Sequence, residues 1–234
     1  MSKSQPSRAY LVDLDGTLIS GGAPLPFAAK LLQSLGDRVV LLSNDAEHTP
    51  GQLSRSLHAM NLHILPERIL LAGVTALEVV AREKPGARAM VLASRALRTH
   101  ARRLGLELTD TNVEIVVLGR DRHFSYASLT AAANAVRTGA QLVVANPDLT
   151  HPGTNGTVVP ETGALLGALL ACTGHVAHRI IGKPELPMFR QALQMLGVAN
   201  NDAVMIGDNP DTDGRGAHAA GITFVHVNDW IAHL

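Results

Sequence analysis

Two carboxylates spaced i, i+2 close a short apolar run, Ala9-Tyr10-Leu11-Val12-Asp13-Leu14-Asp15, and Gly16-Thr17 follows at once. An apolar run of this length ended by a turn signal reads as a buried strand. Alternate residues of an extended segment point the same way, so Asp13 and Asp15 leave the strand together. Two like charges so close are costly without a proton or a cation between them. Oxygen donors suit a hard cation such as Mg2+. A D-x-D-G run alone reads equally well as a solvated turn, and the same spacing serves as a metal site in some sugar-nucleotide transferases.

Three later stretches bear on that choice. Ser43-Asn44 follows the apolar run Val39–Leu42. A hydroxyl and free backbone N–H groups at a strand end can hold a phosphate oxygen, although Ser-Asn there is also an ordinary helix cap. Lys183 stands between Gly182 and Pro184, in a set turn that suits one ammonium placed beside an anion. A solvated surface lysine is its plain alternative. Asp208 and Asp213 follow the apolar run Ala203–Ile206. Asp208 can complete the oxygen shell of a cation held by Asp13 and Asp15, and Asp213 can orient waters or Lys183. Asp211 reads as a helix cap.

The elements that position these residues alternate strand and helix. Residues 27–35 predict a helix ended by Gly36, and 38–42 a second strand. Strand, helix and strand within about 30 residues make a right-handed parallel unit, with both carboxyl ends on one edge of the sheet. Ligands bind at that edge in open α/β sheets. Helices are expected over 52–60, 74–82, 97–104, 125–137, 163–173 and 187–196. Strands are expected over 68–72, 89–93, 114–118, 141–145, 203–206 and 222–227. Thr150 to Gly156 reads as a polar loop, and 228–234 as a short helix with Trp230 packed on the domain. Lys84-Pro85-Gly86 is the first convincing break. The expectation is a core domain from 1–85 and 178–234, with a second domain inserted at 86–177.

Composition limits the partners. The 234 residues carry 20 basic and 20 acidic side chains, net charge zero, with 3% aromatics. No overall charge favours nucleic acid or an anionic membrane, and base-stacking aromatics are scarce. Cys172 is the single cysteine. It excludes an intrachain disulfide, is expected in the core of an Ala/Leu-rich helix, and fits a reduced, cytoplasmic setting. The polar start lacks the apolar stretch of a signal peptide, and no apolar run reaches the length of a membrane span. The histidines show no metal-ligand spacing, and His123 reads as structural.

Taken together and in order, Asp13-Leu14-Asp15-Gly16-Thr17, Ser43-Asn44, Gly182-Lys183-Pro184 and Gly207-Asp208 through Asp213 resemble the four motifs of the haloacid dehalogenase (HAD) superfamily. The insert resembles its C2 cap. Asp121–Tyr126, Ala145-Asn146-Pro147-Asp148 and Thr162-Gly163 resemble its IIA branch of p-nitrophenyl, nucleotide and other small-ester phosphatases. The resemblance implies a Rossmann-like parallel-sheet core with an inserted α/β cap, and an Mg2+-dependent phosphatase acting on a small-molecule phosphate ester. It implies Asp13 as nucleophile forming an aspartyl-phosphate and Asp15 as general acid and base. It implies Ser43, Asn44 and Lys183 as the groups that bind the phosphate. It implies Asp13, the Asp15 carbonyl and Asp208 as the metal ligands, with Asp213 behind them. Branch relatives often dimerise through the cap, so the resemblance leaves a homodimer through the cap open.

Three stretches depart from the family pattern. Ser43-Asn44-Asp45 stands where Thr-Asn-Asn is usual, Glu161 stands where the branch often has Gly, and Asn209-Pro210 replaces a basic-apolar pair. These put the substrate in doubt rather than the chemistry. Asn146 and Asp148, with the loop through Asn155, are candidates for substrate choice, although Asn-Pro-Asp is also a good turn sequence. A phosphotransferase using the same intermediate, or a silent phosphate-binding protein, would share most of these motifs.

Overall fold

A computed structural model describes residues 8–152 and 156–233. In chain order the first half forms β1 (Ala9–Asp13), the small hairpin β2 (Ile19–Ser20) and β3 (Ala23–Pro24), α1 (Ala28–Leu35), β4 (Val39–Ser43), α2 (Pro50–Ala59), β5 (Ile69–Leu71), α3 (Ala72–Glu83), β6 (Arg88–Leu92), α4 (Arg95–Arg103), β7 (Glu107–Leu108) and β8 (Ile115–Leu118). The second half forms α5 (Tyr126–Arg137), β9 (Gln141–Val144), β10 (Thr150–Pro152), β11 (Val158–Pro160), α6 (Thr162–Thr173), β12 (His178–Ile180), α7 (Leu186–Leu196), β13 (Ala203–Gly207), α8 (Arg215–Ala219), β14 (Thr223–His226) and α9 (Val227–Ile231).

The chain divides into two compact units: residues 1–43, 50–70 and 183–234, and residues 44–49 and 71–182. The first unit holds a five-stranded sheet in the order β14-β13-β1-β4-β5. Its β13–β1, β1–β4 and β13–β14 pairs are parallel. The order reverses between β1 and β13, the position at which such sheets bind ligands. Leu11, Leu41, Leu42 and Ile206 are fully buried, as expected for strands covered on both faces. Helix α1 buries Ala28, Leu31 and Leu35, one stripe at helical spacing, and Gly36 ends it. Trp230 meets Tyr10 edge to face, with ring centroids 5.5 Å apart.

The second unit has its own five-stranded sheet, β12-β9-β8-β6-β7. All of its pairs are parallel. Its core joins Met90, Val116, Leu118, Leu142 and Val144 to Ala132 and Val136 of α5 and Leu166 and Leu169 of α6. A reciprocal Ser125–Ser128 capping box starts α5.

Four readings from sequence differ from this structure. Helix α3 and strand β12 belong to the second unit, as does the short stretch 44–49, so the units change over at 43/44, 49/50, 70/71 and 182/183 rather than at 85/86 and 177/178. The Lys84-Pro85-Gly86 break ends α3 but ends no unit, because the apolar face of α3 packs within the second unit. The supposed loop at 150–156 begins as β10, paired antiparallel with β11; residues 153–155 lie outside the described part. Cys172 is exposed rather than buried. Helix α6 carries no charged residue, so its composition does not mark which face is solvated. Asp211 is not the residue that caps the turn after β13. The Asn209 side chain accepts the Asp211 N–H instead.

Candidate active site

In the first unit the site forms where β1, β4 and β13 end. Asp13 is the last residue of β1 and lies opposite Leu42, so Ser43 stands one position beyond it on the neighbouring strand. Asp208 follows the end of β13 directly. The chain turns sharply after β1, with Gly16 at φ +80°, and the Gly16 N–H returns to the Ile19 carbonyl at 2.8 Å. A Cβ on Gly16 would lie 2.0 Å from Asp208 Oδ2. Only glycine therefore lets the two strand ends approach this closely.

Lys183 links the acids. Its Nζ donates to Asp13 Oδ1 and, at 2.7 Å, to Asp213 Oδ1. Lys183 is 3% exposed, Asp13 6% and Asp213 0%. Thr17 is fully buried and donates to Asp13 Oδ2 at 3.3 Å. Asp213 reaches inward from the single π-type turn Pro210–Gly214. It accepts the Asn209 N–H at 3.3 Å, and a Cβ on Gly207 would stand 2.2 Å from its Oδ2. Ser43 is 1% exposed. Asp15 is exposed, beyond the strand end.

The charges do not balance. One ammonium serves Asp13 and Asp213, while Asp208 offers an oxygen within 4.8 Å of oxygens from both. Burial pushes the Asp13 carboxyl up to about 6, against the pull of Lys183. It pushes Asp213 up to about 6 in the same way, with Asp13 adding to the rise. Burial and the charge of Asp213 also raise Asp208. Lys183 is raised as well, which for an ammonium favours the charged form: burial disfavours its charge, but the two carboxylate partners outweigh burial and hold it protonated well above the ordinary lysine range. A site of buried carboxylates that resist ionisation is one that a divalent cation stabilises. The donors are all oxygen, the set that suits hard cations. Asp13 and Asp213 are both bonded to Lys183, and Asp208 brings the third carboxylate of the cluster.

Asn44, Asn146 and Asp148 come together in the second unit, bonded to one another. Asn146 Nδ2 donates to the Asn44 carbonyl at 2.6 Å and to Thr162 Oγ1 at 3.3 Å. Its Oδ1 accepts the Asp148 N–H at 3.0 Å. Asn44 Nδ2 donates to Asp148 Oδ2 at 3.0 Å. Asn146 is 1% exposed. Asp45, the departure from the usual amide, accepts the Glu47 and His48 N–H groups and pairs with His48 Nδ1 at 2.7 Å. The sequence reading assigned no role to Thr17, although its place four residues after Asp13 was the available signal. It also missed Arg120, which bonds Glu47 at 3.2 Å and Glu161 at 3.3 Å. Nothing local in the sequence ties those three together.

This sheet and this cluster define a class. Residues 10–107 match the profile of haloacid dehalogenase-like hydrolases and residues 180–229 that of HAD-hydrolase-like proteins. The chain belongs to the haloacid dehalogenase-like hydrolases, on their phosphomonoesterase branch. A dihydroxyacetone phosphatase of Corynebacterium glutamicum is 37% identical over 227 residues, 96% of this chain and 82% of that protein. The solved p-nitrophenyl phosphatase from Archaeoglobus fulgidus superposes with a TM-score of 0.86 at 29% identity, over 95% of this chain and 86% of that one. The glycerol phosphate phosphatase of Mycobacterium tuberculosis in complex with magnesium gives a TM-score of 0.86 at 29% identity, over 94% of this chain and 67% of that one. The same enzyme is also known in complex with calcium.

Proposed function

We propose that this chain hydrolyses phosphate monoesters of small sugars and polyols, in the triose to glycerol size range, through an aspartyl-phosphate on Asp13 and with Mg2+ as its cation. The observation that carries this reading is the buried Lys183 bridge between Asp13 and Asp213, with Asp208 beside it. The substrate range rests on the names of the relatives above.

Asp13 and Asp208, with the backbone carbonyl of Asp15, would hold Mg2+, which supplies positive charge against the phosphate dianion. An Asp13 carboxylate oxygen attacks phosphorus and the ester P–O bond breaks. Asp15, exposed at the strand end, gives its proton to the leaving oxygen. Asp15 then takes a proton from water, whose oxygen attacks phosphorus, frees Asp13 and releases inorganic phosphate. Lys183 and the Ser43 hydroxyl bind the phosphoryl oxygens throughout. Asp213 holds Lys183 in place, and Thr17 fixes the Asp13 rotamer. Asn44 and Asn146, whose amides are already engaged, act by positioning the 44–49 stretch. Asp148 remains a candidate for substrate choice.

The test is phosphate release from dihydroxyacetone phosphate, glycerol phosphate, sugar phosphates, nucleoside monophosphates and p-nitrophenyl phosphate, with Mg2+ and with chelator. Turnover of the three-carbon esters should require Mg2+, and Asp13→Asn should lose about a thousandfold or more. Full turnover by Asp13→Asn would remove the nucleophile assignment. Turnover in chelator would remove the metal assignment, and preference for a nucleotide would remove the substrate class.

A further inference from the structure

Helix α2 ends in a Schellman motif: the Leu62 N–H donates to the Leu57 carbonyl and the Asn61 N–H to the His58 carbonyl. Asn61 takes the left-handed conformation, φ 58°, that this cap requires. Leu57 and Leu62 are both buried, so the backbone is anchored on either side of the turn. His58 and His63 flank it and are exposed. Their Nδ1 atoms stand 2.9 Å apart, with the ring planes at 75°. With both rings neutral, this contact is one N–H donated to one lone pair.

The same separation is a chelate bite. Two imidazole nitrogens, each about 2.0–2.1 Å from one ion, stand about 2.9 Å apart at a right angle and about 3.3 Å apart at the tetrahedral angle. The observed distance matches the right angle, which belongs to tetragonal Cu2+ and Ni2+ rather than to tetrahedral Zn2+. We infer that His58 and His63 form a surface two-histidine site for Cu2+ or Ni2+, its remaining positions filled by water. The ion takes the Nδ1 lone pair of each ring, and each ring keeps its proton at Nε2. The ring that donated through Nδ1 changes tautomer by exchange with solvent, so a neutral pair releases no proton. The capping motif holds both residues in place before the metal arrives. Imidazole donors distinguish this site from the carboxylate cluster around Asp13, which suits hard cations.

The experiment titrates the full, metal-free chain with Cu2+ in excess Mg2+, so that the carboxylates are already filled, and reads electron paramagnetic resonance. One Cu2+ per chain with a two-nitrogen signature is expected. His58→Gln and His63→Gln should each weaken Cu2+ binding about tenfold or more and remove one nitrogen from the signature. Both variants should keep the wild-type circular dichroism and Mg2+-dependent phosphate release. Absence of stoichiometric Cu2+, an oxygen-only signature, or equal affinity and signature in the double variant would each overturn the assignment.

Discussion

At the carboxyl edge of the first sheet the chain places Asp13, Ser43 and Asp208; at the carboxyl edge of the second it places its own backbone. There the stretch 44–49 crosses the strand ends in order. The Asn44 carbonyl accepts from Asn146, just past β9. The Ala46 carbonyl accepts the Arg120 N–H at 3.0 Å, just past β8. The Glu47 carbonyl accepts from Ser94 Oγ, just past β6. The strap thus covers the gap between β6 and β8 where the strand order reverses, the crevice that a sheet of this kind ordinarily offers a ligand. Both edges depend on glycine for close approach, but to opposite ends. Gly207 makes room for the Asp213 carboxylate, whereas Gly73 makes room for the Ala46 backbone, 2.9 Å from where its Cβ would lie. One edge concentrates unbalanced charge. The other closes itself with hydrogen bonds to backbone carbonyls, and Arg120 stands between the carboxylates of Glu47 and Glu161.

If that contrast is right, the largest effect follows from upsetting the charge at the first edge. Lys183→Met leaves Asp13 and Asp213 buried without their ammonium. It should lower stability by about 3–5 kcal/mol in urea unfolding and abolish phosphate release. A stable, active variant would mean the bridge is incidental. Next comes Gly207→Ala, which drives a methyl into Asp213. A fall of about a hundredfold in kcat should accompany a stability loss of about 1–3 kcal/mol.

Gly73→Ala applies a similar steric insult to the second edge. It should cost about 1–3 kcal/mol by thermal unfolding yet leave kcat within about threefold. A Gly73→Ala enzyme that is stable but dead would erase the distinction between the edges. The smallest effect concerns Asp45 and His48 in the strap. His48 is raised by its bond to Asp45, against its own burial. The stabilisation is therefore complete below the ordinary histidine value of 6.5 and fades as pH rises through the elevated one. Asp45 is lowered: its burial is outweighed by the His48 contacts. Its share is present above 3.8 and fades as pH falls through the depressed value. Wild type should thus exceed His48→Ala in unfolding free energy only in mildly acidic buffer, by less than about 1 kcal/mol because His48 is half exposed. A difference that grows toward alkaline pH would show that the pair is not the cause.

Much of the first edge was legible because it is local. Asp13, Ser43 and Asp208 each end an apolar run, and an apolar run followed by a turn residue fixes both the strand and where its end points. Lys183 could be placed by its Gly and Pro neighbours, and its partnership with Asp213 was one of two roles weighed for that acid. The second edge was opaque for the opposite reason. Residues 44–49 look like the start of α2, and the donors to their carbonyls, Gly73, Ser94, Arg120 and Asn146, lie 28 to 102 residues away in sequence. Asn146 drew attention as a polar residue after a strand, a candidate for substrate choice or a turn, but its bond to the Asn44 carbonyl had no local signal. Cys172 was misread because α6 is uncharged throughout, so it has no polar stripe to show which side meets water.

The strap has a consequence for how such a protein can be divided. Because 44–49 belongs to the second unit but lies in sequence within the first, excising 71–182 does not remove the insert cleanly. It strands the carbonyls of Asp45, Ala46 and Glu47 without the Gly73, Arg120 and Ser94 groups that donate to them. The inserted domain is therefore not a cassette with two ends. Exchanging it for another, by recombination or by design, requires four simultaneous cuts, two of them around a matching six-residue sequence after Ser43.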